Sequence, residues 1–488
     1  MKRRTFLKTA SAAALAVAFP ERLTRAAGAE GRKPNVVLVL VDDLGWADSS
    51  TYGSKYYETP NLSRLAAGGM TFTDGYAACA VCSPTRAAVM TGRWPARLGV
   101  TDWIRARFQG GEIPADQEPP AGFVGGPNNQ LLCPKNALWL NLAETTIAEA
   151  LGPAGYTSCH IGKWHLGPDA WYPEKQGFDY NIGGCDCGQP PSYYDPYKNP
   201  RQGQIPTITP RQPGEYLTDR EGDEAAAFIT KHAGRPFFLY MAHYAVHTPI
   251  QPRKDLAEKY KAKPATDRHK NAAYAAMIES VDTALGKIMK ALDDAGVADH
   301  TLVIFTSDNG GLVPVTNNTP LRSGKGHPYE GGIREPLVVR WPGVARPGTR
   351  CNVPVTSVDY FPTICQAAGV PLPGDRTIDG ESILPLLAGT GNLKRDAIYW
   401  HFPHYRGRIH PYSIIRKGPW KLIRWHEGPA WELYNLADDL SETKDLAGAM
   451  PAKVKQLDTQ LMAHLVAVGA KMPKPNPGYK PKAKKGIS

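Results

Sequence analysis

Cys82-Ser83-Pro84-Thr85-Arg86 sets a thiol one helical turn ahead of a guanidinium. Ser83 can cap a helix, Pro84 suits its first turn and Gly92 can end it, so the stretch reads as a short helix. A helix N-terminus attracts anions such as sulfate. Asp42-Asp43 and Asp308-Asn309 offer only oxygen donors. Such hard donors suit calcium, with magnesium second, rather than zinc. A two-zinc phosphatase centre would need several histidines among these ligands, and Asn309 follows Asp308 instead. Gly162-Lys163-Trp164-His165, His247-Thr248-Pro249 and Gly324-Lys325-Gly326 add cations and imidazoles. The glycines beside both lysines indicate close approach of the backbone to another group. His160 reads as a core histidine and His243 as a structural one. Cys79 and Cys82 also form a C-x-x-C, which leaves a redox pair as an alternative.

These residues need elements to position them. Val36 to Val41 is a continuous apolar run, as in a parallel strand buried on both faces. Thr157 to Ile161, Phe237 to Met241 and Leu302 to Thr306 are similar. Tyr274, Met277, Ile278, Val281, Leu285, Ile288, Met289 and Leu292 share one helical face, with Gly296 as the stop. This alternation predicts an α/β sandwich. The four strands end next to Asp42-Asp43, Lys163–His165, His247 and Asp308-Asn309, and ligands bind beyond the carboxyl ends of strands in open α/β sheets. Residues 105–137 and 183–216 are rich in Gly, Pro and polar residues and read as surface excursions that shape a pocket. Tyr399–Phe402, Ser413–Arg416 and Trp420–Arg424 read as short strands of a smaller region, and Pro451–Val468 as a last helix.

The expected domains are a signal segment at 1–29, a catalytic domain at 30–390, a C-terminal subdomain at 391–470 and a basic, disordered tail at 471–488. The net charge of +11 sits at the ends. Residues 1–27 carry six Lys/Arg and one Glu, and residues 471–488 carry six Lys. The body is near neutral, which excludes a nucleic-acid partner. Lys2-Arg3-Arg4-Thr5-Phe6-Leu7-Lys8 followed by a short Ala-rich run resembles a twin-arginine signal, with Ala27-Gly28-Ala29 as the cleavage site. It implies the twin-arginine export machinery as a partner and a periplasmic or secreted enzyme. No segment is long enough to span a bilayer.

C-x-P-x-R followed by Thr91-Gly92 resembles the signature of the formylglycine-dependent sulfatases. Gly162–Gly167, Ser307–Gly310 and Gly324–Arg334 resemble further landmarks of that family, and the match runs from about Pro34 to about Asp445. The resemblance implies an alkaline phosphatase-like α/β/α sandwich around a large mixed sheet, with a smaller C-terminal α+β subdomain. It implies a sulfuric ester hydrolase. Cys82 would be converted to formylglycine by a formylglycine-generating or sulfatase-maturating enzyme, and its hydrate would attack sulfur. One calcium ion would be held by Asp42, Asp43, Asp308, Asn309 and position 82. Arg86, Lys163 and Lys325 would supply positive charge to the sulfate oxygens. His165 would assist the hydrate, and His247 the leaving oxygen.

The expected substrate is a sulfated carbohydrate, cut in exo fashion, with a galactose or N-acetylgalactosamine sulfate foremost. Thr101-Asp102-Trp103 and Pro190–Tyr194 are aromatic and polar stretches suited to reading a sugar, and Trp400 and His404 are expected at the substrate. The alternatives are a phosphodiesterase or phosphonate monoester hydrolase of the same superfamily, or a non-catalytic binder of sulfated glycans.

Overall fold

The computed structural model describes residues 33–105, 120–266 and 268–481. The expected signal segment lies outside them. The strand Asn35–Val41 (β1) is buried at every position. Val36, Leu38 and Leu40 enter one core and Val37, Val39 and Val41 the other. A strand that is apolar on both faces needs cover on both, and helices supply it. Pro60–Ala67 (α1), Leu217–His232 (α4) and Ala272–Asp294 (α6) pack on the valine side. Cys82–Thr91 (α2), Ile147–Leu151 (α3) and Tyr360–Ala367 (α7) pack on the other. Lys254–Lys261 (α5) lies against α6. The eight residues expected on the inner face of α6 are all buried. Asn271 caps this helix by accepting from the Tyr274 N–H, and Gly296 follows in the left-handed region at φ +68°.

The other strands of the large sheet are Met70–Tyr76 (β2), Thr157–Gly162 (β3), Tyr180–Ile182 (β4), Phe237–Ala242 (β5), Thr301–Ser307 (β6), Arg334–Arg340 (β7), Thr349–Cys351 (β8) and Val355–Thr356 (β9). Their order is β8-β2-β7-β6-β1-β5-β3-β4, with β9 also on β2. The run from β6 to β4 is parallel, and β7 is antiparallel to both β6 and β2. The α/β/α sandwich around a mixed sheet is the expected architecture. Register places Val41 opposite Ser307, Leu40 opposite Ala242, and Ala242 opposite Gly162. Four strands thus end almost level, at the edge where the chemistry-bearing residues begin.

The C-terminal subdomain is an antiparallel sheet of Ala397–Phe402 (β10), Tyr412–Lys417 (β11), Trp420–Trp425 (β12) and Trp431–Asn435 (β13), with Pro451–Ala467 (α8) on one face. Its other face, including Ile398, Trp400, Phe402 and Ile414, packs against Tyr76, Val81 and Ile333 of the large domain. Buried charge ties the two together. Lys421 Nζ lies 2.9 Å from Glu330 and 2.8 Å from Glu442, with all three side chains fully buried. Burial works against the Glu330 charge, but Lys421, Arg334 and Arg416 override it and hold the carboxyl down at about 2.

Two expectations change. The segment from 471 is ordered as far as it is described: Lys474–Pro475 pairs with Leu131–Pro134, and the Asn476 side chain donates to the carbonyls of Gly126 and Asn129. A free strand edge recruits it despite its Pro/Lys-rich composition. The 183–216 excursion is more than surface, because Tyr193, Tyr197, Ile205 and Ile208 enter the core beneath α6. Among the described residues no helix is long and apolar enough to cross a membrane.

Removing one partner of a buried ion cluster leaves uncompensated charge, which costs about 3–5 kcal/mol. Lys421→Met should lower the stability of the folded chain by that amount in denaturant unfolding. A loss below about 1 kcal/mol would show that the clamp contributes little.

Candidate active site

Asp42, Asp43 and Asp308 follow β1 and β6 directly, and all three are buried. Isolated buried carboxylates are costly, so each needs a cation. Lys163 Nζ sits 2.7 Å from Asp42 Oδ2. Lys325 Nζ sits 2.5 Å from Asp43 Oδ1. Arg86 donates from Nε to Asp308 Oδ2 at 2.8 Å and from Nη1 to the Lys163 carbonyl at 2.7 Å. Three carboxylates therefore face three cations. For Asp43, burial opposes the charge, but Lys325, His247 and Lys163 outweigh it and hold the carboxyl below its usual range. For Asp42, burial dominates and pushes the carboxyl up, although Lys163 opposes it.

This balance leaves specific atoms unsatisfied. Asp42 Oδ1, Asp43 Oδ2 and Asn309 Oδ1 are buried and accept no hydrogen bond. Asn309 is oriented by its own Nδ2, which donates to Asp43 Oδ1 at 2.8 Å. Buried oxygens without donors are rare and expensive. Asp42, Asp43 and His247 each offer a ligand atom within 4.8 Å of one another, Asn309 is held on Asp43, and the preponderance of oxygens fits a calcium-type cation. Such an ion would also relieve the pressure on Asp42. Because the protein charges already cancel, a divalent ion would leave the site positive by two, suited to a sulfate group.

Backbone geometry delivers the remaining groups. Gly162 ends β3 at φ +93°, where a Cβ would strike the Ala242 carbonyl oxygen, so only glycine lets β3 turn into Lys163 beside β5. His165 itself is left-handed, at φ +61°. Its Nδ1 lies 3.2 Å from Ser83 Oγ, while Nε2 is buried without a protein partner. Burial, then the charges of Lys163 and Arg86, hold its pKa well below the ordinary histidine value. His247 Nδ1 lies 2.9 Å from the Thr248 carbonyl, so it donates there and directs Nε2 toward Asp43 Oδ2, 3.6 Å away. Tyr193 supports this segment: its hydroxyl donates toward the carbonyls of Tyr244 and His247, at 2.7 and 2.8 Å.

Cys82 is the first residue of α2, so the helix starts two positions earlier than a Ser83 cap would have it. Ser83 does not cap; its Oγ accepts from the Ile104 N–H and meets His165. Gly92 ends the helix in the left-handed region, as expected. Cys82, His165, His247 and Lys325 line a cleft of about 390 Å³ together with Trp103 and Gln189. Arg86 and Lys163 do not reach its wall. They stand behind Asp308 and Asp42, so their charge acts through those carboxylates. Cys79, the other half of the C-x-x-C, is a buried thiol pushed up to about 12 by burial, and all eight cysteines are unpaired. The redox alternative loses its reactive partner.

The placement of Trp400 and His404 changes. Trp400 is buried in the subdomain interface, donating from Nε1 to the Ala77 carbonyl at 2.7 Å. His404 is buried against Thr101 Oγ1 at 2.7 Å. Neither lines the cleft. Tyr193 does not face it either, for its side chain is fully buried. His160 sits among Trp164, Phe178 and Tyr240 as a core histidine, and His243 pairs with Glu221 at 2.7 Å.

Residues 34–370 match the family model described as Sulfatase. The chain belongs to the sulfatase family. Residues 324–471 also match the model described as N-sulphoglucosamine sulphohydrolase, C-terminal. A sulfatase from Formosa agariphila is 34% identical, covering 86% of each chain. The human N-acetylgalactosamine-6-sulfatase is also 34% identical, over 86% of this chain and 77% of the human enzyme. The solved structure of Ps i-CgsB in complex with k-i-k-neocarrahexaose superimposes with a TM-score of 0.76 at 29% identity, covering 93% of this chain and 96% of that one. The fold is thus the alkaline phosphatase-like one, and this sulfatase is a sulfuric ester hydrolase.

The site is tight enough to test sterically. A Cβ on Gly188 would lie 2.5 Å from His165 Nε2. Gly188→Ala should displace the imidazole and lower kcat of this sulfatase roughly 10²-fold, with circular dichroism unchanged. Unaltered kcat would show that the His165 ring position does not matter to turnover.

Proposed function

We propose that this sulfatase removes sulfate from a sulfated carbohydrate in exo fashion, with galactose or N-acetylgalactosamine sulfate foremost. The carrying observation is the cleft itself. It joins Cys82 at a helix start and a buried cation in Lys325 to an aromatic face, Trp103, and amide groups, Gln189 and Gln202. Sugars call for this mixture of apolar face and polar edge. The similarity to the human N-acetylgalactosamine-6-sulfatase and to the neocarrahexaose complex supports the same substrate class.

Oxidised to formylglycine and hydrated, position 82 supplies an oxygen nucleophile for sulfur. Asp42, Asp43, Asp308, Asn309 and position 82 would hold a calcium ion, which would supply positive charge to the sulfate oxygens. The protein's own residues do the rest. Arg86 fixes Asp308 and the Lys163 carbonyl at once, so helix α2 and strand β3 are locked in one geometry. Lys325 presents a fixed ammonium at the cleft wall, where charge develops. His165 offers Nε2 beside position 82 as a proton acceptor. His247 is anchored through Nδ1 and so meets the leaving oxygen through Nε2. Maturation by a formylglycine-generating or sulfatase-maturating enzyme is supported by Cys82–Arg86, and twin-arginine export to the periplasm or medium by Arg3-Arg4 and the residues after them.

Two measurements test this reading. Peptide mass spectrometry of protein made beside a maturation enzyme should show an aldehyde at position 82, and elemental analysis should find one calcium per chain. Fully active protein with an intact thiol, or with two zinc ions, would refute it. Across sulfated sugars, simple aryl sulfates and matched phosphate esters, the sulfated sugars should give the highest kcat/KM, because aryl esters forgo remote binding energy. Highest values on phosphate esters would favour the phosphohydrolase alternative.

A further inference from the structure

The catalytic centre balances its own charges, yet the cleft above it carries three more cations. Arg105, Arg201 and Arg406 line the same cleft, and no carboxylate does among its described lining residues. Among the described residues the ion pairs of Asp42, Asp43 and Asp308 are made by other cations, and Arg105 pairs with Asp186. They therefore exceed what one sulfate ester requires.

Arg406 is the most telling. It sits in the tight connection between β10 and β11, where its backbone and that of Ile409 exchange hydrogen bonds at 3.0 and 2.9 Å. Gly407 follows at φ +59°. The arm of Arg406 lies along Gly326, where a Cβ would come 2.7 Å from its Nε. Gly326 is the neighbour of Lys325, so the guanidinium is held beside the catalytic cation by the shape of the backbone. Like charges are brought together here, and among the described residues Arg406 forms no ion pair or side-chain hydrogen bond; its charge acts on the nearby Asp102 only against the burial that pushes that carboxyl up. The Asp102 carboxylate accepts from the Trp103 N–H. Across the chain, Arg105 is buried and oriented by Gln202 Oε1 at 2.9 Å and Asp186 at 3.4 Å, while Arg201 beside it is exposed. The cations thus grade from the buried Lys325 to an exposed arginine at the mouth.

A planar guanidinium recognises sulfate and carboxylate alike through paired N–H donors. We propose that Arg406, with Arg105 and Arg201, forms a second anion subsite. It binds an anionic substituent of the substrate other than the sulfate that is removed, either a further sulfate ester or a uronate carboxylate. This rests on the carbohydrate reading above and narrows it to polyanionic saccharides.

The test compares mature enzyme with Arg406→Gln and Arg406→Lys. One arm uses a monosulfated disaccharide, the same sugar with a second sulfate, and the same sugar with a neighbouring uronate. The ratio of kcat/KM with and without the second anion should fall about ten-fold in the Gln variant and be partly restored by Lys. Whichever anion shows the drop identifies the group that is bound. A ratio unchanged for both anions overturns the proposal. A second arm measures inhibition of 4-nitrophenyl sulfate turnover by sucrose octasulfate. The inhibition constant should rise about ten-fold in Arg406→Gln, and an equal constant in both proteins overturns the subsite. If no sugar sulfate is turned over, the carbohydrate reading fails while this second arm still decides the subsite.

Discussion

Three carboxylates buried side by side at the ends of β1 and β6 repel one another and pay heavily for leaving water, and much of the structure exists to hold them there. Arg86 comes from α2, Lys163 from the end of β3, and Lys325 from the connection between β6 and β7. Each brings one charge from a different part of the chain. The cluster can form only when the large sheet, the helix at Cys82 and the 324–334 loop are all in place. Folding and assembly of the site are therefore one event. The unsatisfied oxygens of Asp42, Asp43 and Asn309 mark the direction in which the cluster still attracts positive charge.

The strands of the parallel core were legible because they are apolar on both faces, and α6 because its inner face repeats at helical spacing. β2 and β7 were not. Met70–Tyr76 mixes threonine, aspartate and glycine with its apolar residues, and Arg334–Arg340 opens with Arg, Glu and Pro. These strands bury charge against charge, with Arg334 on Asp74 and Glu330, a pairing that periodicity cannot reveal. Trp431–Asn435 was missed because it is short and its apolar residues do not alternate, with Leu433 and Tyr434 adjacent and both buried.

The site divides in the same way. Residue type and strand ends pointed to Asp42, Asp43, Cys82, His165, His247, Asp308 and Lys325, and the structure brings these together. Type alone could not show that Arg86 and Lys163 stand behind the carboxylates. Trp400 and His404 failed because direction, not position, decides contact: Trp400 points from β10 into the interface, and His404 is turned onto Thr101. Arg406, two residues beyond His404, carries no mark in the sequence that sets it apart from other arginines. Tyr193 gave a partial signal, since an aromatic in a polar excursion suggests packing or binding, but only the fold shows which carbonyls it serves.

The buried clamp at Lys421 shapes how this protein can vary through evolution. The sheet ends are assembled from distant segments, so a change in one must be answered by the others. The turn from 403 to 411 is tied down by side chains rather than by sheet register: His404 sits on Thr101, Tyr405 accepts from the Leu131 N–H, and Arg406 lies along Gly326. Its flanking strands are secured on one side by α8 and on the other by the domain interface, so a side chain such as Arg406 can be exchanged while both cores stay intact. A lineage could acquire a new diet by exchanging single side chains on this turn, and never pass through an ancestor unable to break the sulfate ester.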